Sequence, residues 1–365
     1  MRPVPFPRLP RLGALAAALA MAAVPAGAQT VPGSRTVTVD ADGTAHIRDA
    51  VLPPSSILSA KGREILGRAR PTEGPGAAAQ PATPDMAELR RRMNEQLQPN
   101  VRHMRDVYPV DIQETTIDGI EVAIITPRGG VPARNRNRLI INAPGGGFRT
   151  GIRANGLLIS IPVAAVGRFK VVSLLYRQGP EYRFPAATED FTKVYRAMLK
   201  SYRPANIGLV GCSAGGALIA ESVAHFQQVG LPRPGVLGIY CSGADAKWMD
   251  GDSARFAALA TASQGAGSAP NAYFEGMNMD DPAISPVESP AILAKFPPTL
   301  FANATRDFSM SRAALSYRRL VNAGVEAQLL IFDGLGHGFM TNPDFPESRE
   351  LYEDAARFYD RHLAR

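Results

Sequence analysis

From residue 111 onward, apolar positions fall into short runs separated by longer amphipathic stretches. Runs at 121–125, 138–142, 170–176, 207–210, 236–240, 299–303 and 327–332 read as strands. Several are apolar at nearly every position, the pattern of strands covered on both faces. Between them, 187–202, 214–229 and 311–323 carry helical spacing, and a last helix runs over about 347–363. Strands alternating with helices predict an α/β fold: a mainly parallel sheet with helices on both faces.

The pattern differs upstream. Residues 36–48 alternate around Asp42-Gly43 and predict a short hairpin or an extended arm. A first helix is predicted over 56–70, and 71–84 is rich in Pro, Gly and Ala, which predicts a mobile loop. A second helix follows over 85–107. Asp85 can cap it, and Met86, Leu89, Met93 and Leu97 recur at helical spacing. These helices precede the first strand run, so residues 29–109 are expected to form an N-terminal arm and cap ahead of the main α/β domain, 110–365. Residues 248–282 interrupt the alternation with a short helical stretch and a Gly/Ser/Ala/Asn-rich loop, the expected second piece of the cap. No internal repeat is evident.

The first 28 residues are not read as fold. Arg2, Arg8 and Arg11 precede an apolar run from Leu12 to Val24, and Ala26-Gly27-Ala28 offers a cleavage site. That is a secretory signal peptide pattern, and it predicts a periplasmic or secreted protein. The run falls short of a bilayer span, and no later stretch is long and apolar enough for one, so stable membrane insertion is not expected. The formal net charge is +7, with three of the positive charges in that leader. The remaining basic residues are dispersed, which argues against nucleic-acid binding. The two cysteines, Cys212 and Cys241, have no metal-ligand spacing.

Chemistry gathers at the ends of the predicted strands. Gly211-Cys212-Ser213-Ala214-Gly215 joins a strand run to a helical segment. A Gly-x-Ser-x-Gly pentapeptide in that setting is a nucleophile elbow: a tight turn that lifts the serine to a helix N-terminus. A serine hydroxyl needs a base, and the base needs an orienting group. Of the five histidines, His46, His103, His225 and His362 lie in the arm or on helices, whereas His337 follows the last predicted strand in Gly334-Leu335-Gly336-His337-Gly338. Open α/β sheets place their sites at that end. Asp307 also follows a strand run; Asp333 is the competing carboxylate, but it is close to His337 in sequence. Pro144-Gly145-Gly146-Gly147-Phe148 follows a strand ahead of the serine, and its bare backbone could approach an oxyanion closely. Tyr176, Arg177 and Glu181 read as structural, and Trp248, Phe148, Phe339 and Met340 as core or acyl-pocket lining.

Four blocks resemble the bacterial hormone-sensitive-lipase-like esterases (family IV) of the α/β-hydrolase superfamily, from about Asp111 to the C-terminus. Pro144–Phe148 is similar to that family's His-Gly-Gly-Gly-Phe loop. The segment from Tyr176 through Glu181 to Ala187 is similar to its Tyr-Arg-x-x-Pro-Glu block. The nucleophile elbow and the pair of segments around Asp307 and His337 are the others, with Asp281-Pro282 and Ser285-Pro286 on the approach to the acid. The chain departs from the family at Pro144, where a histidine is usual, and at Cys212, where an acidic residue is common. The resemblance implies an eight-stranded, mostly parallel sheet with a helical cap. It implies Ser213, His337 and Asp307 as nucleophile, base and acid, with oxyanion donors at the amides of Gly146, Gly147 and Ala214. In that fold the strands ending at Cys212 and Cys241 are neighbours. The tight turn at Ser213 tolerates little strain, so two free, largely buried thiols are expected.

These readings imply an exported serine carboxylic ester hydrolase for small-molecule esters of short to medium acyl chains, with no cofactor or metal. An amidase, lactonase or acyltransferase would use the same triad. A non-catalytic binding protein on this fold would have lost part of it.

Overall fold

The computed structural model describes residues 37–47, 52–68, 85–261 and 271–364. The predicted signal peptide and the predicted loop at 71–84 lie outside these residues. The chain divides into two units after Pro53. In the first, β1 (Val37–Val39) and β2 (Ala45–Ile47) pair antiparallel as the predicted hairpin. Asp42 steadies the turn by accepting the Thr44 amide at 2.9 Å.

The second unit begins with two helices, α1 (Ala60–Arg68) and α2 (Met86–Val107). Asp85 caps α2 as predicted, accepting from the Ala87 and Glu88 amides at 2.9 and 3.2 Å. Then follow β3 (Val110–Ile117), β4 (Ile120–Pro127), β5 (Leu139–Ala143), α3 (Ile152–Gly167), β6 (Lys170–Leu174), α4 (Ala186–Met198), β7 (Ile207–Cys212), α5 (Ala214–Gln228) and β8 (Val236–Tyr240). The chain closes with α6 (Asp252–Thr261), α7 (Pro290–Leu293), β9 (Thr299–Arg306), α8 (Met310–Asn322), β10 (Ala327–Gly336) and α9 (Pro346–His362).

These strands form one eight-stranded sheet in the order β10-β9-β8-β7-β5-β6-β4-β3. The run from β10 to β6 is parallel, and β4 and β3 are added antiparallel. Every residue of β5 and β7 is buried, because helices cover both faces. Leu139 and Ile141 belong to one apolar core and Ile140 to the other, as the two-residue period of a strand requires. Truncating a residue such as Ile141 to Ala would cost about 2–5 kcal/mol. Among the described residues no helix is long and apolar enough to cross a membrane.

Three elements are absent from the sequence reading, among them the four-residue α7. Helix α3 packs between the sheet, α2 and α9, so ten of its sixteen residues are buried and no polar stripe betrays its period. Strand β3 is an edge strand with mostly exposed residues, and its sequence lacks an apolar run.

The topology fixes where a ligand can sit. The chain runs from β5 outward to β6, then returns to the other side of β5 to make β7, β8, β9 and β10. In open α/β sheets ligands bind where the strand order reverses, which here is at the carboxyl ends of β5 and β7.

Candidate active site

Each predicted site residue follows a strand directly. Ser213 comes after β7, Asp307 after β9 and His337 after β10, while the triple glycine follows β5 by one residue. Ser213 has φ +59 and ψ −127, an uncommon conformation for a residue with a side chain. Its amide donates to Tyr240 O at 2.9 Å, and its carbonyl accepts the Gly216 and Ala217 amides. The turn is thus held from both sides at the N-terminus of α5. Close packing permits it: a Cβ on Gly215 would fall 1.9 Å from Ala143 O, so only glycine lets α5 abut β5 there.

Asp307 is 1% exposed. Both of its carboxylate oxygens lie 3.0 Å from His337 Nδ1. Oδ1 also accepts the Ser309 amide at 2.8 Å and the Ser309 hydroxyl at 2.9 Å, and Asn303 Nδ2 donates to Ser309 Oγ at 3.0 Å. Phe308 stacks on the imidazole at 4.2 Å between ring centres. The sequence reading misses Phe308 against His337 and Ser309 against Asp307, for which adjacency to Asp307 is the available signal. Asp333 is engaged elsewhere, accepting from Thr305 Oγ1 at 3.0 Å and from Ser55 Oγ. The other histidines also have other surroundings. His46 pairs with Asp40, His103 with Asp344, and His362 packs on Phe358 near Glu326, where burial lowers its pKa. His225 lies on α5.

The triple glycine lies against the serine: a Cβ on Gly145 would come within 3.3 Å of the Ser213 Cβ. Gly146 has φ +131, and a Cβ there would strike Thr150 O at 1.8 Å. The loop is tied down through its carbonyls. Tyr176 Oη donates to Pro144 O at 2.7 Å, Asn155 Nδ2 to Gly145 O at 3.4 Å, and the Arg149 and Thr150 amides to Gly146 O at 3.0 and 2.9 Å. The amides of Gly146 and Gly147 have no hydrogen-bond acceptor among the described residues. Ala214 opens α5, so its amide also lacks an intrahelical partner. Tyr176 thus anchors the loop at the position where the family's histidine is replaced by Pro144. Burial raises its phenol pKa well above the ordinary value, so it remains a donor.

Arg177 is held by Asp190, whose carboxylate it meets at 2.8–2.9 Å, and by Glu189. Glu181 pairs with Arg90 of α2 at 2.6 Å. Both are the loop-fixing contacts expected of that block. Phe148 is fully buried among Tyr273, Phe274 and Trp248, with ring centres 4.7, 5.1 and 6.2 Å away.

One expectation is overturned. Cys212 and Cys241 are joined as a disulfide, with Cα atoms 5.4 Å apart. Strands β7 and β8 pair Cys212 with Tyr240, one residue before Cys241. The backbone then turns left-handed at Cys241, φ +43, so the residue no longer follows the strand's alternation. The strain is therefore taken at Cys241, leaving the turn at Ser213 intact. The disulfide also joins the two sides of the site, since Cys241 Sγ lies within 4.8 Å of donor atoms of Asp307 and His337. Ser213 and His337 are not hydrogen-bonded directly to each other; such contacts are often long without substrate.

A family model described as the alpha/beta hydrolase fold matches residues 140–341, more than half of the chain. The versiconal hemiacetal acetate esterase of Dothistroma septosporum is 26% identical over 260 residues, covering 67% of this chain and 78% of that protein. A crystal structure of an esterase superposes with a TM-score of 0.77 at 26% identity, covering 87% of this chain and 99% of its own. A hormone-sensitive lipase from a metagenome library shares the fold, with a TM-score of 0.66 at 23% identity over 79% of this chain and 94% of its own. The chain belongs to the α/β-hydrolase fold family, alongside the hormone-sensitive-lipase-like members that its motifs resemble.

Proposed function

We propose that this chain is an exported serine carboxylic ester hydrolase acting on small esters of short to medium acyl chains. The observation that carries the reading is the gathering of groups from four strand ends at one edge of the sheet. Ser213 stands on a strained turn, His337 is paired with the buried Asp307, and the triple glycine is bound through its carbonyls with its amides left open.

Ser213 Oγ attacks the acyl carbonyl and its proton passes to His337 Nε2. Asp307 holds Nδ1, which fixes the tautomer and stabilises the imidazolium. The amides of Gly146, Gly147 and Ala214 bind the oxyanion, each worth roughly 3–4 kcal/mol in such enzymes. Collapse of the intermediate breaks the C–O bond, and His337 gives its proton to the leaving alkoxide. Water then attacks the acyl-enzyme by the same route and releases the acid. These steps use only the chain's own groups and water.

Helices α1 and α2, with residues 248–282, form the cap that limits the acyl chain in this reading. Contacts of both parts near the site support it. Arg90 of α2 donates to Gly179 O and Arg149 O, and Ser253 of α6 donates to Phe308 O at 2.7 Å. Relatives named as an acetate esterase and an acetyl-hydrolase favour short acyl groups. The disulfide agrees with export, because such bonds persist in oxidising compartments.

The test is hydrolysis of nitrophenyl esters from acetate to laurate, with lactones and nitroanilides alongside. Highest kcat/KM on esters of two to eight carbons is the expected result. Turnover confined to lactones or anilides would refute the ester assignment.

A further inference from the structure

Asn271 opens the short turn that returns the chain from the 248–282 excursion to the core. Its side-chain amide makes two bonds. Oδ1 accepts the Tyr273 amide at 3.0 Å, and Nδ2 donates to Gly147 O at 2.8 Å. Two and three residues further along the turn, Tyr273 and Phe274 reinforce the contact, Tyr273 stacking on Phe148 and Phe274 meeting it edge-on.

In a trans peptide the carbonyl and the following amide point to opposite sides. A donor on each carbonyl of the glycine loop therefore sets the direction of the amide behind it. The Gly147–Phe148 peptide is the outermost of these units, and its carbonyl is bound by Asn271. Gly147 and Phe148 both have positive φ, +63 and +56. That backbone is unfavourable for phenylalanine and persists only where its surroundings impose it. Without the Asn271 bond the loop loses a tie at its Phe148 end, and the backbone that carries the Gly146 and Gly147 amides can shift against Ser213.

We propose that Asn271 is a positioning residue for the oxyanion hole, clamping Gly147 O so that the glycine loop keeps its Gly146 and Gly147 amides in place against Ser213. The inference rests on those amides being the oxyanion donors. It makes the excursion part of the catalytic apparatus as well as a wall of the pocket. The role is invisible in the sequence, because Asn271 lies far from every recognised motif.

Asn271→Asp tests this cleanly. A carboxylate still accepts the Tyr273 amide but cannot donate to Gly147 O. Asn271→Ala provides a second variant that adds no charge. For each, kcat and KM on nitrophenyl butyrate are measured per active site, titrated with an organophosphate. The inhibition constant of a trifluoromethyl ketone, which binds as a tetrahedral oxyanion, is measured alongside. The expected result is a kcat about 10- to 100-fold lower, KM within about threefold, and trifluoromethyl ketone affinity reduced in parallel with kcat. A purely structural role would lower the fraction of active sites and leave kcat per site and inhibitor affinity unchanged. That outcome, or wild-type values throughout, overturns the proposal. Ser213→Ala is assayed in the same series. If it stays active, the hydrolase mechanism itself fails; if it is inactive while both Asn271 variants behave as wild type, only the role of Asn271 fails.

Discussion

His337 Nδ1 lies 3.0 Å from the Asp307 carboxylate although 30 residues separate them in the chain. Strands β9 and β10 are parallel neighbours, and the two residues follow their last positions. Asp333 is nearer to His337 in sequence but is bound to Thr305 and Ser55. Asp307→Asn should therefore lower kcat about 10⁴-fold, because the histidine loses the partner that fixes its tautomer. Asp333→Asn should stay within about threefold of wild type. Steady-state kinetics on one ester decides between them, and the reverse ranking would mean that the acid is misassigned.

Removing the Tyr176 hydroxyl isolates the anchor on the Pro144 carbonyl. Tyr176→Phe leaves the Pro144 carbonyl without its donor, a loss of about 1–3 kcal/mol in a buried setting. The variant should melt lower and turn over about tenfold more slowly. Thermal melts and kcat measured together test this. An unchanged kcat would show that the loop holds its shape without the bond.

The disulfide makes a direct chemical prediction. Denatured but unreduced protein should contain no titratable thiol, and two after reduction. The bond closes a loop with a sequence separation of 29, so reduction should cost about 3–4 kcal/mol of stability in the chain-entropy account. Two reactive thiols before reduction would contradict the structure.

Glu221 is buried on α5 behind the site, with Oε2 3.4 Å from Thr188 Oγ1 and Oε1 without a partner among the described residues. Burial raises its pKa well above the ordinary 4.5, and the nearby Asp245 adds to the shift. A carboxyl whose pKa is raised on folding contributes stability below its unfolded pKa and loses it as pH climbs through the folded value. Glu221→Gln removes that dependence. Its melting temperature should exceed that of the wild type at pH 8, by about 2–4 °C per kcal/mol recovered, and the gap should close toward pH 4. Melting curves that stay parallel across this range would contradict the assignment.

The sequence exposed those features that obey a local rule. Strands covered on both faces read as apolar runs, and Gly211 to Gly215 declared a turn that only small residues allow. Asp307 and His337 stood out by following strands. Helix α3 escaped because burial on most sides erased its amphipathic period, and β3 because an exposed edge strand has no apolar run. The disulfide depended on one left-handed residue, Cys241, which strand register alone does not reveal. Asn271 and Tyr176 act through backbone carbonyls, and such partners leave no pattern in the side-chain sequence.

The central claim is that Ser213 is the acylated nucleophile. Its most direct test is mass spectrometry of enzyme quenched with acid during turnover of nitrophenyl butyrate, followed by peptide mapping. The expected result is a butyryl adduct on the peptide carrying Ser213, and a folded Ser213→Ala variant with no adduct and kcat lowered about 10⁴- to 10⁶-fold. Turnover by Ser213→Ala near the wild-type rate, or an adduct confined to another residue, would contradict it.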